Sequence, residues 1–355
     1  MKPSITQFEL EKLVRPNILE LTPYRCARDD YEEGVLLDAN ENALGSNIDD
    51  PDSLHRYPDP HQQKLRKALA TFREVSTENV FVGNGSDEAI DLLIRIFCRP
   101  GVDRIIITPP TYGMYKVAAS IQDCGIISVP LTPDFDLKPD QILEQASEKS
   151  KLLFLCSPNN PTANELSFNK IENLIHFFAG IVVLDEAYID FSSRKSLAGR
   201  IAEFPNLVIL QTLSKSFGLA GLRLGIAIAS AGIIRLMMSV KAPYNINKLT
   251  LRAAEEAVGN TDLMQKHVDE LLVERARLRS ALANIPSVEK IFPSDANFLL
   301  LRVPDALSVY RRLAEQGIIV RYRGDQIHCE NCLRITVGTR TENDLLINQL
   351  TSLLP

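Results

Sequence analysis

Positive charge is scarce in this chain. Its 39 Lys and Arg are outnumbered by 45 Asp and Glu, for a net charge of −6. A surface that tracks a nucleic-acid backbone needs the opposite balance, so no nucleic-acid partner is expected. Long apolar runs are missing too. The longest, Leu224 to Ile234, is far too short to cross a bilayer, so no membrane-spanning segment is expected. The opening residues, Met1 to Lys12, contain no uninterrupted apolar core and do not read as a signal peptide. There is no disulfide framework. Of the six cysteines, Cys26, Cys98, Cys124 and Cys156 are scattered, as buried free thiols would be. Cys329-Glu-Asn-Cys332 has metal-ligand spacing, but no second such pair and no His pair accompany it; only His328 is near. A turn between strands is expected there, and no metal site. A reduced, cytoplasmic setting follows. No strand leads into a GxGxxG turn, which removes a plain dinucleotide-binding dehydrogenase. Internal repeats and low-complexity tracts are absent as well.

What is present is an ordinary globular mixture. With 355 residues, 45% of them apolar and 24% charged, the chain is long enough for two domains and needs no staple. Short β-rich runs recur at 80–82, 104–108, 126–129, 151–155, 181–184, 207–210 and 225–228. Helical patterns such as Asp87 to Phe97 and Phe168 to Phe178 lie between them. Strands apolar on both faces suit a covered, mostly parallel sheet. The fold class is therefore α/β: a large domain over residues 50–245, with a seven-stranded mostly parallel sheet between helices, plus a smaller α+β domain. The smaller domain is assigned residues 246–355 together with 1–49. It opens on one long helix-like segment, Asn247 to Asn284. Strands at 297–303, 318–321 and 333–337 and a helix near 307–316 follow. The first 50 residues show no such rhythm and are expected to pack against the small domain.

The polar residues cluster just after the strands, where open parallel sheets bind ligands. Gly83-Asn84-Gly85-Ser86-Asp87-Glu88 is a glycine turn leading into a helix. It suits an anion site, or simply a capped helix start whose acids would repel a phosphate. Tyr112 follows a second strand and can stack on a flat ring or fill core. Asn159-Asn160-Pro161 follows a third, as a hydrogen-bonding site or merely a turn. Asp185 and Glu186 end a buried strand, where a carboxylate needs a partner: a cationic ring nitrogen, a helix cap or a salt bridge. Thr212-Leu213-Ser214-Lys215-Ser216 places a lysine among hydroxyls, with Arg223 eight positions on. A lysine so placed is a candidate to bond to an aldehyde cofactor.

The order of these segments resembles the fold-type I pyridoxal-phosphate aminotransferases, over nearly the full length. Within that group the similarity is greatest to the histidinol-phosphate aminotransferases. The residues that carry it are Leu21-Thr22-Pro23-Tyr24, Asp38-Ala39-Asn40-Glu41-Asn42, Arg56-Tyr57-Pro58-Asp59, Gly85-Ser86-Asp87-Glu88, Asp185-Glu186-Ala187-Tyr188, the Lys215 segment and 332–339. The resemblance implies that Lys215 bonds to the aldehyde of pyridoxal 5'-phosphate and later moves the substrate proton. It implies that Asp185 pairs with the ring nitrogen, that Asn160 and Tyr188 bond the ring's phenolic oxygen, and that Tyr112 stacks on the ring. Ser86, Asp87, Ser214 and Arg223 would hold the cofactor phosphate, joined by Tyr57 from the neighbouring subunit of a homodimer. Tyr24 and Asn160 would border the substrate. Arg321 and Arg334, otherwise surface salt-bridge formers, would bind the anions of histidinol phosphate and of glutamate or 2-oxoglutarate. Threonine-phosphate decarboxylation, aromatic amino-acid transamination and non-catalytic cofactor binding are the alternatives. A proton-shuttling lysine kept with Asp185, Tyr188 and Arg223 argues against the last. Two departures stand out. Ala163 replaces the glycine of the family's Asn-Pro-Thr-Gly turn, and Asn164 is expected to take up the left-handed conformation. Arg323 shares a strand face with Arg321, so which of them enters the site is open.

Overall fold

The computed structural model describes residues 8–31 and 33–354; residues 1–7, most of the stretch read above for a signal peptide, lie outside them. Seven strands form the first sheet: β1 (Val80–Asn84), β2 (Arg104–Ile107), β3 (Gly125–Ser128), β4 (Ser150–Cys156), β5 (Ile181–Asp185), β6 (Leu207–Thr212) and β7 (Leu224–Ala229). Their order is β1-β7-β6-β5-β4-β2-β3. β7 runs antiparallel to both its neighbours, and the other pairings are parallel. Alternate residues of each strand serve two cores. In β5, Val182 and Leu184 join one apolar cluster while Ile181 and Val183 join another on the opposite face. That two-sided burial is why these strands read as continuous apolar runs.

A second, antiparallel sheet follows: β8 (Lys290–Ile291), β9 (Phe298–Arg302), β10 (Arg321–Tyr322) and β11 (Cys332–Thr336), in the order β10-β11-β9-β8. One face has its own core, while Leu300 and Cys332 on the strands join a cluster of the first sheet. Leu299, Leu301, Leu333 and Ile335 pack with Leu282, Leu313 and Leu350 of the covering helices.

Several boundaries differ from the sequence reading. The segment 247–284 is two helices, Lys248–Val258 and Thr261–Ala283. Gly259 closes the first, and Asn260 leaves the helical region at φ −127°, ψ 54°. Glycine and asparagine adopt such breaks at little cost. In the run 318–321 only Arg321 enters a strand. Residues 8–18 pack on the first sheet's helices, not on the second sheet. Val14 is buried in the cluster containing Phe97 and Ile234, and the Arg15 N–H donates to the Ile96 carbonyl at 3.0 Å. Phe8, Leu10 and Leu13 supply the apolar side of that contact. Cys329 to Cys332 forms a turn, closed by the Cys332 N–H on the Cys329 carbonyl at 3.0 Å.

Candidate active site

The carboxyl ends of β1, β2, β4, β5 and β6 point to one edge of the sheet. Because β7 is reversed, its start reaches that same edge and brings Arg223 with it. A cavity of about 590 Å³ opens there, a size suited to a small ligand. Ser86, Asp87, Tyr112, Asn160, Asp185, Tyr188, Ser214, Lys215, Arg223, Arg321 and Arg334 all line it, and Arg323 does too. Tyr57 and Tyr24 do not. Tyr57 stacks on Tyr244 with ring centres 4.6 Å apart, in a separate hollow with Glu41, Arg56 and Lys248. Tyr24 is exposed beside a third, small hollow next to His61.

Asp185 forms the floor. It is buried, and among the described residues it makes no ion pair. Its carboxylate accepts the Tyr115 hydroxyl at 2.6 Å and the Ala187 N–H at 3.0 Å. Burial raises its pKa above the usual carboxylate value, and the Tyr115 bond opposes that. An isolated buried carboxylate costs several kcal/mol unless a cation or donors compensate it, so this floor suits a cationic ligand group.

Lys215 faces the same space, with Nζ 5.5 Å from the centre of the Tyr188 ring. Burial lowers its pKa below the ordinary lysine value; the positive charges of Arg334 and Arg223 add to this, and Asp185 opposes it. The lysine loop is pinned on both sides. The Ser214 N–H donates to Thr212 Oγ1 at 3.1 Å. The Ser216 hydroxyl donates to Asp190 at 2.5 Å, and Asp190 is held in turn by Arg73 at 2.8 Å.

The start of the helix Gly85–Phe97 offers free N–H groups suited to an anion. Gly85 has φ +73°, and its N–H donates to the Arg223 carbonyl at 2.6 Å. A Cβ on Gly85 would sit 2.8 Å from an Arg223 guanidinium nitrogen, and one on Gly225 would sit 2.0 Å from the Ser86 nitrogen. Bare backbone at both positions lets strand, helix start and arginine converge. Glu88 is turned away, accepting the Asn84 N–H and Asn245 Nδ2. Asp87 accepts the Tyr112 hydroxyl at 3.0 Å and lies 3.3 Å from Arg223, an open pairing of little strength.

The far wall comes from the second sheet. Arg334 donates to Asn160 Oδ1 at 2.5 Å and lies over the Phe298 ring. Near it, the left-handed residue is Ala163, at φ +71°, and not Asn164. The Ala163 N–H donates to the Asn159 carbonyl at 2.8 Å and its carbonyl accepts the Asp295 N–H at 2.8 Å. Those two bonds hold alanine in a conformation that costs an L-residue about 1–2 kcal/mol.

The sequence reading missed Tyr115, which anchors Asp185 from 70 positions away, and the Arg73–Asp190 support of the lysine loop. Tyr115 sits three places after Tyr112 on an ordinary helical pattern, with no local mark of its role.

Residues 28–350 match the family model described as aminotransferase class I and II. The chain is 49% identical over 345 residues to a histidinol-phosphate aminotransferase of Cytophaga hutchinsonii, covering 97% of this chain and 99% of that one. It is 46% identical to the enzyme of the same name from Parabacteroides distasonis, covering 96% and 98%. In fold it is similar to the histidinol-phosphate aminotransferase of Sinorhizobium meliloti in complex with pyridoxal-5'-phosphate, at a TM-score of 0.79, 22% identity and 89% coverage of each chain. The cavity, its lysine and its buried carboxylate thus lie in a chain that belongs to the class I and II aminotransferase family.

Proposed function

We propose that this protein is a pyridoxal-phosphate-dependent transaminase. Its reaction converts L-histidinol phosphate and 2-oxoglutarate to imidazole acetol phosphate and glutamate. One observation carries the reading: a lysine of lowered pKa and a buried carboxylate with no ion pair among the described residues line one cavity. The names of the similar proteins favour this substrate over threonine phosphate and aromatic amino acids.

The residues present fit the cofactor. The Asp185 carboxylate, hydrogen-bonded but without an ion pair among the described residues, suits a protonated ring nitrogen. The cradle at Gly85 and Gly225, which a Cβ would fill, suits a phosphate at a helix start. When bound, pyridoxal phosphate supplies an aldehyde that takes up amino groups and a cationic ring that accepts an electron pair. Lys215 holds it through Nζ. The same nitrogen would carry the proton at the substrate carbon, which a neutral lysine can do. Asp185 keeps the ring nitrogen protonated. Asn160 and Tyr188 bond the ring oxygen, and Tyr112 covers the ring face. Ser86, Ser214, Arg223 and the backbone N–H of Asp87 would hold the phosphate, with Arg223 able to do so bidentately. Arg321 and Arg334 receive the substrate's anionic end.

We assign Tyr57 and Tyr24 to a site shared across a homodimer. The segment carrying them leaves Leu37, Leu44 and Ile48 largely exposed, an apolar surface that suits a second copy. We divide the chain between its two sheets near residue 245, with residues 8–18 counted with the first part. The cytoplasm is the compartment we assign, on the strength of six free cysteines.

The test is a substrate screen on the holoenzyme. Glutamate should convert the absorbance of the bound cofactor to that of its amine form, and histidinol phosphate should do the same. No change with glutamate sinks the transaminase reading. Carbon dioxide released from threonine phosphate, or turnover of phenylalanine or tyrosine exceeding that of histidinol phosphate, overturns the substrate assignment.

A further inference from the structure

We infer that Arg323 is a third substrate-binding arginine, completing with Arg321 and Arg334 a seat for a doubly charged phosphate ester. This rests on the transaminase reading above and sharpens what its site selects. Three observations carry it.

The first is placement. Arg321 and Arg334 are direct partners across the β10–β11 ladder, so their side chains share one sheet face. Arg323 lies two positions beyond Arg321 and continues the ladder, its N–H donating to the Cys332 carbonyl at 2.9 Å. It therefore presents its side chain on the same face. All three line the cavity that holds Lys215.

The second is charge. Like charges directly opposite in a ladder repel, and a third within reach adds to the strain. Among the described residues none of the three makes a salt bridge, although the chain pairs many other arginines. Asp325, the acid whose field reaches Arg323, instead accepts the Gln326 amide. Burial and the mutual repulsion of these guanidiniums lower the pKa of both Arg323 and Arg334. A cluster held together against its own repulsion is matched by a ligand with more than one negative charge.

The third is an open donor. Arg323 Nε is buried and has no hydrogen-bond partner among the described residues. Leaving a buried N–H of a charged group unpaired is costly, and an arginine fork takes a phosphate in a bidentate grip. Its backbone is not free to drift: the Gln326 N–H donates to the Arg323 carbonyl at 2.9 Å, and the Cys329 N–H closes on Gln326 at 3.0 Å. The tight Cys329–Cys332 turn is thus a support for this arginine. A carboxylate, with one charge, satisfies fewer of these donors than a phosphate does. Arg323 therefore favours histidinol phosphate over the dicarboxylic partner.

The experiment compares wild type with Arg323→Gln as holoenzymes. The quantity read is the ratio of kcat/KM for histidinol phosphate to that for glutamate in separate half-reactions. Loss of a charge-assisted fork lowers this ratio about 10- to 100-fold. The inhibition constant of inorganic phosphate against histidinol phosphate rises in parallel. A ratio within about twofold of wild type, or unchanged phosphate inhibition, overturns the inference. Should Arg323→Gln not fold, Arg323→Lys is read the same way; it keeps the charge and loses the fork, and the ratio must still fall severalfold. A wild-type enzyme that responds to glutamate but ignores histidinol phosphate refutes the substrate assignment instead, so the two failures are distinct.

Discussion

Tyr115→Phe isolates the bond beneath the cavity floor. Tyr115 is fully buried, with its ring stacked on Phe154 at 4.7 Å and edge-on to Tyr112 at 5.5 Å. A phenylalanine keeps both contacts. What disappears is the 2.6 Å hydroxyl bond to Asp185, leaving that carboxylate with the Ala187 N–H. A hydrogen bond to a charged group contributes about 1.5–3 kcal/mol, against about 1 kcal/mol for a neutral pair. The apoprotein should lose about 1.5–3 kcal/mol of stability where Asp185 is ionised. The pH dependence has a definite sign. Asp185 is raised by burial, so its share of stability is fully present below the ordinary carboxylate value and is lost as pH rises through the raised one. Removing the hydroxyl moves that loss to higher pH and deepens it. The difference between variant and wild type should therefore be greatest on the alkaline side, shrinking towards about 1 kcal/mol in acid. Urea unfolding of the two apoproteins, followed by far-ultraviolet circular dichroism at several pH values, measures it. A loss below about 0.5 kcal/mol at every pH would refute the reasoning, because the hydroxyl would then not be supporting a charge.

Two more substitutions probe the lysine and its support. Lys215→Met should lower turnover by at least about 10³-fold, and a variant retaining activity would remove the central claim. The depressed pKa of Lys215 means that its burial costs stability at neutral pH and that the cost is relieved as pH rises towards the ordinary lysine value. The same variant's apoprotein should hence melt higher than wild type at pH 7, with the gain fading in alkali. Asp190→Ala strips Arg73 and Ser216 of their shared partner. Breaking a largely buried pair costs about 3–5 kcal/mol, so the thermal midpoint should fall by many degrees. kcat should drop with KM little changed, and an unaltered kcat would show that the lysine loop needs no such anchor.

The seven strands were legible because each is apolar on both faces, a pattern that only a covered sheet produces. Leu152 to Leu155 and Ile181 to Leu184 read the same way in sequence and in space. The residues following them were legible as a site for the same reason: polar groups after buried strands collect at one edge. Less was visible where the deciding contact is distant. Nothing near Tyr115 announces Asp185. Helix 247–284 seemed continuous because Gly259-Asn260 interrupts the composition only briefly. Asparagine tolerates left-handed backbone better than alanine, yet at this turn the bonds to Asn159 and Asp295 outweigh that preference and put it at Ala163. Residues 8–18 were sent to the wrong sheet, since an apolar patch does not name the surface that it will cover. For Arg321, Arg323 and Arg334 the sequence gives a shared face, and the ladder register is needed to see that they crowd one another.

The bond from Arg334 to Asn160 spans the two sheets. The acidic floor and the lysine belong to the first, and Arg321, Arg323 and Arg334 to the second, so a ligand held at both ends would also be a strut between them. By mass action, whatever binds only the assembled arrangement stabilises it in proportion to its occupancy. Ligand concentration is then a mechanical variable for this fold: a bound ligand adds to the apolar contacts, such as Phe135 on Phe292 and Tyr188 on Phe298, that already hold the two layers together. Chemistry and cohesion draw on the same contacts, and a weakening of either is felt in the other.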